Sequence, residues 1–197
     1  TWSSSSEFVE AGYSRFLYEV ELANQFLRDS NDGRVDAIGL TDAEKETVRQ
    51  YRTEARWLRA LGYYHALDLF GNVPFKTEND PVGSFTPPQY TRAQLFEFIE
   101  SELLAIESEM LEARTAPYGR VDRAGAWALL AKMYLNAEVY IGQPKYNETI
   151  VYCEKIMNAG YSLANNYENL FRSDNHTGDA KNEIIFAVPY DANHTQT

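Results

Sequence analysis

Apolar residues recur three and four positions apart over most of this 197-residue chain, and two of the resulting stripes begin at a capping box. Residues 41–44 (TDAE) and 91–94 (TRAQ) each place a threonine three positions ahead of a glutamate or glutamine. This pair marks a helix start, because each side chain can accept a hydrogen bond from the backbone N–H of the other residue. A helix with one apolar stripe buries it against another element, so the sequence predicts a mainly α fold.

Five helices follow from these stripes, with starts and ends set by caps, glycine and proline. They are predicted to span about residues 7–28, 41–70, 91–111, 122–141 and 146–158. The segments between them are predicted to be loops, including residues 31–39 and the proline-rich residues 77–89. Residues 183–188 (EIIFAV) are rich in β-branched side chains and are predicted to form a strand. The fold is therefore expected to be mainly α with few short strands.

One pair of predicted helices has the spacing of a tetratricopeptide repeat. The W-x₂-L-G-x₂-Y pattern of its first helix is matched, with alanine at the glycine position, by Trp127, Leu130, Ala131 and Tyr134. Residues 146–156 supply the second helix of this pair. A looser match pairs the helix that carries residues 58–65 (LRALGYYH) with the third predicted helix. Together the two pairs predict a degenerate tetratricopeptide (TPR) array.

The charge and cysteine content exclude several classes of partner. The formal net charge is −11 and no basic run offsets it, so neither nucleic acid nor anionic lipid headgroups are expected to bind. Cys153 is the single cysteine, and its place on an apolar stripe predicts a buried thiol. No apolar stretch is long enough to span a bilayer. The first residue is Thr1 rather than Met, and we expect an internal piece of a longer protein.

No constellation of residues indicates catalysis. His65 lies on an apolar stripe and is predicted to pack in the core, while His176 and His194 lack a neighbouring nucleophile motif. The acidic residues of the third predicted helix lie mostly off its apolar stripe and are predicted to form a solvated face; they are Glu100, Glu102, Glu107, Glu109 and Glu112. Spacing alone leaves open a carboxylate pair for glycoside hydrolysis, because the separation of two carboxylates is a three-dimensional quantity.

Motifs for metals and cofactors are missing from the sequence as well. There is no histidine-rich zinc pattern, no cysteine pair and no phosphate-binding glycine loop. Residues 174–179 (DNHTGD) are similar to an oxygen-rich calcium loop, but they lack the spacing and the final glutamate of an EF-hand. A solvated loop is therefore predicted there, and the protein is expected to be no enzyme and to need no metal or cofactor.

Residues 51–75 (YRTEARWLRALGYYHALDLFGNVPF) carry a much more specific pattern. They resemble the signature of the SusD/RagB-like family of outer-membrane glycan-binding lipoproteins, and in particular its starch-binding branch. Three further segments, residues 18–27, 116–124 and 128–140, are similar to family segments and stand in the same order. The resemblance covers nearly the whole chain.

The resemblance implies a fold, a location and partners. It implies a SusD-like fold with TPR helix pairs as scaffold, in which residues 1–197 form a single-domain segment from the N-terminal half to the middle of the protein. It implies a lipidated cysteine upstream of Thr1, at the outer face of the outer membrane. The partners it implies are a starch-like oligosaccharide, bound without hydrolysis, and a SusC-like TonB-dependent transporter.

The residues expected to contact sugar lie mainly outside this chain. Within it, Asn193 and Gln196 are predicted to bind glycan, because they lie at the C-terminal edge where the family's sugar site is expected to begin. The alternative interpretation is a TPR adaptor that binds peptides in its concave groove. Binders of peptide tails usually need basic residues in that groove, and this chain is acidic.

Overall fold

The two predicted capping boxes form at the starts of the second and third predicted helices. In the first, Glu44 N–H donates to the Thr41 hydroxyl at 3.3 Å and Thr41 N–H donates to Glu44 Oε2 at 2.9 Å. In the second, Gln94 N–H donates to the Thr91 hydroxyl at 3.3 Å and Thr91 N–H donates to Gln94 Oε1 at 2.9 Å. Each box satisfies N–H groups that have no partner within the helix.

The structure, a computed structural model, describes residues 6–83 and 85–190. The α-helices, numbered α1 to α7, are Glu7–Asp29, Asp32–Ala37, Asp42–Phe70, Arg92–Glu107, Arg123–Leu135, Ala137–Ile141 and Tyr146–Asn158. Two short strands, β1 (Val73–Pro74) and β2 (Gln89–Tyr90), pair antiparallel. Two 3₁₀-helices follow, Tyr167–Phe171 and Ala180–Asn182. The mainly α prediction is confirmed, and the fourth predicted helix is divided into α5 and α6 at Asn136.

The long helices pack in chain order, α1 on α3, α3 on α4, α4 on α5 and α5 on α7. Helix α4 lies in the middle of this row and buries five apolar side chains, Leu95, Phe96, Ile99, Leu103 and Ile106. The α5–α7 pair confirms the predicted TPR unit, with Ala131 buried as expected. No helix within the described ranges combines the length and apolarity that a bilayer span requires.

A buried arginine joins three parts of this row. Arg59 of α3 is 2% exposed and donates to Asn24 Oδ1 of α1 at 2.8 Å and to Glu102 Oε2 of α4 at 2.6 Å. It also pairs with Glu78 in the loop after β1, and Arg56 donates to both oxygens of Glu102. These five residues form the Arg59 cluster, in which two cations face two carboxylates. Buried charges are tolerated when they are paired in this way.

The prediction of a solvated glutamate face on the third helix is wrong for three of its five members. Glu100 pairs with Lys145, Glu102 belongs to the Arg59 cluster, and Glu107 pairs with Lys155. Glu107 also accepts hydrogen bonds from Trp127 Nε1 at 2.8 Å and from the Tyr152 hydroxyl at 3.2 Å. Positions beside an apolar stripe lie at the border of a helix contact, where long carboxylate side chains reach partners on the next helix.

The predicted strand at residues 183–188 is also wrong. No strand forms there in the described part of the chain. β-Branched composition favours a strand where a neighbouring strand supplies hydrogen bonds, and no strand among the described residues lies beside this segment. The segment packs through its side chains instead, with the ring centre of Phe186 4.8 Å from that of Trp57. Residues 184–187 are half-buried, whereas Val188 is exposed, so packing of side chains accounts for part of the apolar composition.

Two smaller predictions need correction. The predicted loop at residues 31–39 contains α2, because the Asn31 side chain caps it by accepting from Arg34 N–H at 3.1 Å. Cys153, predicted to be buried, is exposed. Helix α7 packs on α5 through one face, and Tyr152 is its one buried residue. The neighbouring position on the helix therefore points away from that contact.

Acid is predicted to weaken the Arg59 cluster through Glu102. Burial alone would raise the pKa of Glu102, but the hydrogen bond from Arg56 and the charge of Arg59 outweigh it and hold that pKa below its ordinary value of 4.5. A carboxyl with a depressed folded pKa stabilises the fold above its unfolded pKa, and this contribution is lost as the pH falls through the folded pKa. The free energy of unfolding, measured with urea, should therefore fall as the pH drops below about 4.5.

A matched pair of variants separates this effect from general acid unfolding. Glu97 is exposed and forms no ion pair among the described residues. As the pH falls below about 4.5, the free energy of unfolding should fall less steeply in Glu102→Gln than in Glu97→Gln. Equal slopes in the two variants would contradict the assignment to Glu102.

Candidate functional site

An open cleft lies where the loop between α4 and α5 meets the last described residues. Its walls are the turn at Tyr118, the loop at residues 172–176 and the segment at residues 184–190, and its volume is about 650 Å³. We call it the C-terminal cleft. Two tyrosines on its walls, Tyr118 and Tyr190, are 55% and 65% exposed. The cleft therefore offers uncovered aromatic surface at an open mouth.

The turn that presents Tyr118 depends on a glycine. Arg120 N–H donates to the Pro117 carbonyl at 2.9 Å, and Gly119 between them has φ 80°. Side chains rarely adopt this conformation. A Cβ at Gly119 would also lie 3.1 Å from Cγ of Pro189. Glycine thus lets the turn lie directly against the segment that forms the opposite wall.

The turn is also anchored to α3. Arg120 donates from two nitrogens to the carboxylate of Glu54, and its guanidinium lies 4.4 Å from the ring centre of Tyr51. A two-point arginine–carboxylate contact fixes orientation as well as distance. Tyr118, two residues earlier, is therefore carried by a base that the helical scaffold holds in place.

The second wall is a loop held by short-range hydrogen bonds. Asn175 Nδ2 donates to the Leu170 carbonyl at 2.9 Å, and Thr177 N–H donates to the Asp174 carbonyl at 2.9 Å. Arg172 Nε donates to Asp174 Oδ1 at 3.1 Å, and this hydrogen bond holds the pKa of Asp174 below its ordinary range. The loop places the His176 ring centre 6.1 Å from that of Tyr118.

A smaller cavity of about 250 Å³ opens beside the cleft and is lined by Arg114, Asp122, Tyr161 and Lys181. Burial raises the pKa of Asp122, although the N–H groups of Ala124 and Arg114 hydrogen-bond to it and lower it in part. Burial, and then the charge of Asp122, raise the pKa of Tyr161 to about 12. Lys181 forms no ion pair among the described residues, so its ammonium remains a free donor beside the cleft.

This arrangement suits binding of a neutral polar ligand with flat apolar faces. Exposed tyrosine rings offer stacking surface, and Asn175, His176 and Lys181 offer donors and acceptors around them. The described residues contain no group of three histidine, cysteine or acidic side chains placed to hold a metal ion. Residues 174–179, whose sequence is similar to a calcium loop, form no such group either, and hydrogen bonds within the loop hold it in place.

The cleft does not pair a histidine with a nucleophile among the described residues. His65, predicted to pack in the core, is half-buried and stacks on Phe16 with the ring centres 5.1 Å apart. Burial lowers the pKa of His65, and the charge of Lys132 adds to this effect. His176 is the one described histidine at the cleft, and no serine or cysteine side chain hydrogen-bonds to it in the described residues.

The predicted glycan-binding residues, Asn193 and Gln196, lie outside the described residues. They follow Tyr190, the last described residue, by three and six positions, and Tyr190 lines the C-terminal cleft. The sequence analysis did not name Tyr118, His176 or Tyr190 as glycan-binding residues. The proline and glycine on either side of Tyr118 are typical of an exposed turn and could have drawn attention to this tyrosine.

Comparison with known proteins places the chain among relatives of one kind. No family model matches it. It is 41% identical over 192 residues, 97% of its length, to the starch-binding protein SusD of Bacteroides thetaiotaomicron, of which it covers 32%. It is 24% identical over 88% of its length to SusD-like protein P25 of Formosa agariphila, of which it covers 31%. The chain thus spans about a third of the length of the curated relatives it matches.

A solved structure agrees on the fold. A SusD-like protein from Bacteroides fragilis superposes with a TM-score of 0.74 at 20% identity, over 97% of this chain and 35% of that protein. The helical row of α1, α3, α4, α5 and α7 is therefore the TPR-like scaffold of such proteins. Together with the 41% identity to SusD over 97% of the chain, this shared fold confirms the resemblance to the SusD/RagB-like family.

Proposed function

We propose that this chain is part of a protein that binds oligosaccharide or polysaccharide at the cell surface and does not hydrolyse it. The observation that carries the proposal is the 41% identity over 97% of the chain to a starch-binding protein. The C-terminal cleft supports it, because exposed tyrosines with amide, imidazole and ammonium groups nearby suit the faces and hydroxyls of sugar rings. The proposal includes no catalytic step, because the described residues that line the cleft do not form a catalytic group.

The finer parts of the proposal concern the ligand, the site and the location. The glycan is starch-like, because the relative at 41% identity is named for starch. The chain is one segment of a longer lipid-anchored protein on the outer face of the outer membrane, which delivers glycan to a SusC-like TonB-dependent transporter. Asn193 and Gln196 bond sugar hydroxyls.

Affinity electrophoresis of the full-length protein tests the binding. Its migration in a native gel should be retarded by embedded starch and unchanged in a gel without polysaccharide. Incubation with malto-oligosaccharides should release no shorter sugars. Migration unaffected by starch and by other glycans, together with a shift on addition of peptides, would favour the TPR adaptor instead, and release of shorter sugars would refute the non-catalytic assignment.

Tyr118→Ala should weaken glycan binding by about five- to tenfold, because removing one stacking ring costs on the order of 1 kcal/mol. Isothermal titration with malto-oligosaccharides measures this change. Tyr167→Ala is the matched control, since Tyr167 is 73% exposed and lies outside the lining of the cleft. Tyr118→Phe keeps the ring and should retain most of the affinity. Equal affinities in Tyr118→Ala and Tyr167→Ala would remove Tyr118 from the site.

A further inference from the structure

An apolar groove lies between α1 and α3, apart from the C-terminal cleft. Leu22, Phe26, Tyr51 and Leu58 line it and are 54%, 38%, 41% and 36% exposed, and its volume is about 320 Å³. A cavity of about 500 Å³ shares Phe26 and Tyr51 with it and continues it toward α2. Exposed apolar side chains grouped in one groove make it a candidate site of interaction.

Helix α1 is apolar on two faces, and the fold uses one of them. Val20, Ala23 and Leu27 are buried. Leu22 and Phe26 are four residues apart and project side by side from the other face into the groove. A helix with one face on the core and one in water needs one apolar stripe. The second stripe on α1 therefore fits a second packing partner.

A carboxylate in the groove has no partner. Glu19 lines the groove, is half-buried, and forms no hydrogen bond or ion pair among the described residues. Arg120, the cation among the residues that line the groove, is paired with Glu54. Burial raises the pKa of Glu19. A carboxylate taken out of water without a cation destabilises a fold. A cation brought into the groove would therefore stabilise Glu19.

We propose that this groove is the docking site of another segment of the same polypeptide, which covers Leu22 and Phe26 with apolar side chains and brings a lysine or arginine to Glu19. The inference rests on the proposal that the chain is part of a longer protein. The curated relatives are about three times as long as the matched region, which leaves ample polypeptide to form such a segment. A tethered segment covers the groove at high effective concentration, whereas a separate protein would leave the apolar surface and Glu19 uncovered between encounters.

Thiol labelling of the full-length protein tests the covering. In a Cys153→Ser background, Leu22→Cys should react with a maleimide at least about tenfold more slowly than Thr47→Cys, because access requires local opening. Thr47 is the matched position, since it is exposed on α3 and does not line the groove. Labelling is measured on the monomeric fraction. Equal rates at the two positions would overturn the proposal.

The Glu19→Gln variant tests the incoming cation through the sign of its effect. If a lysine or arginine reaches Glu19, the variant loses an ion pair and its Tm falls below that of the unmodified protein. If no cation reaches it, the variant removes a desolvated charge and its Tm rises. A rise in Tm would overturn the proposal, even if Leu22→Cys is protected.

The source of the segment is tested by concentration and by added proteins. Protection of Leu22→Cys that is independent of protein concentration supports a segment of the same chain. Protection that appears on dimerisation or on addition of another protein overturns it. Retardation by starch is read in a separate gel, so a failure here and a failure of the proposed glycan binding are distinguishable.

Discussion

Replacing Arg59 with methionine should lower the free energy of unfolding by about 3–5 kcal/mol, the cost of removing one member of a buried ion pair. Methionine keeps much of the volume of the arginine side chain but removes its charge and its donors. Glu78 and Glu102 would then share one remaining cation, Arg56, and Asn24 Oδ1 would lose its donor. Urea denaturation followed by far-ultraviolet circular dichroism measures the loss.

The loss should depend on burial and not on arginine as such. Arg49 pairs with Glu46 one turn away, and both side chains are more than half exposed, so Arg49→Met should cost less than about 1 kcal/mol. The double variant Arg59→Met/Glu102→Gln should lose less than the sum of its parts, because each single change leaves the same cluster unbalanced. A cost for Arg59→Met no greater than that for Arg49→Met would show that the Arg59 cluster contributes little.

The Arg59 cluster explains why the sequence predicted the fold well. The residues of the 51–75 signature are mainly structural. Arg59 joins α1, α3 and α4, and Phe75 stacks with its ring centre 3.8 Å from that of Tyr90. Trp57 packs so close to Gly125 of α5 that a Cβ added at this glycine would lie 3.4 Å from the indole ring. A signature made of packing and ion-pair residues identifies the scaffold, because the same contacts must form wherever the scaffold recurs.

The site was less predictable for the same reason. The C-terminal cleft is formed by residues far apart in the chain, and its tyrosines occupy loops without a periodic pattern. Tyr118 and Tyr190 line the same cleft because Gly119 lets its turn lie against Pro189, and no local sequence rule predicts this contact. The glutamates of α4 show the same limit, since the spacing placed them beside the stripe but could not reveal their partners on other helices. Asn193 and Gln196 stay predictions.

The role of Gly62, which lies in the looser TPR match, could be explained only from the structure. The sequence pairs residues 58–65 with the helix that follows, yet Gly62 faces the helix that precedes. A Cβ at Gly62 would lie 3.1 Å from Cγ2 of Val20 and 3.2 Å from the Phe16 carbonyl oxygen. The glycine therefore lets α3 approach the backbone of α1. Close approach at a helix crossing explains why a glycine occupies this position. A left-handed backbone conformation is not the reason, because Gly62 does not have a positive φ.

Gly62→Ala should destabilise the protein by about 1–3 kcal/mol, because the added methyl group overpacks the α1–α3 crossing. The effect opposes intrinsic helix preference, since alanine in a helix interior is favoured over glycine by about 1 kcal/mol. The Phe16 carbonyl belongs to the backbone of α1 and cannot rotate away as a side chain could. The expected outcome is a lower Tm with the helical content retained.

Gly12→Ala supplies the control, because the same substitution on α1 meets no close neighbour. The nearest atom to a Cβ at Gly12 is Cε2 of Phe16, at 3.9 Å, an ordinary van der Waals contact. Helix preference should then act alone, so Gly12→Ala should raise the free energy of unfolding by about 0.5–1 kcal/mol. Opposite signs for the two glycine substitutions would establish that the α1–α3 crossing is limited by close packing at Gly62, whereas stabilisation by both would contradict it.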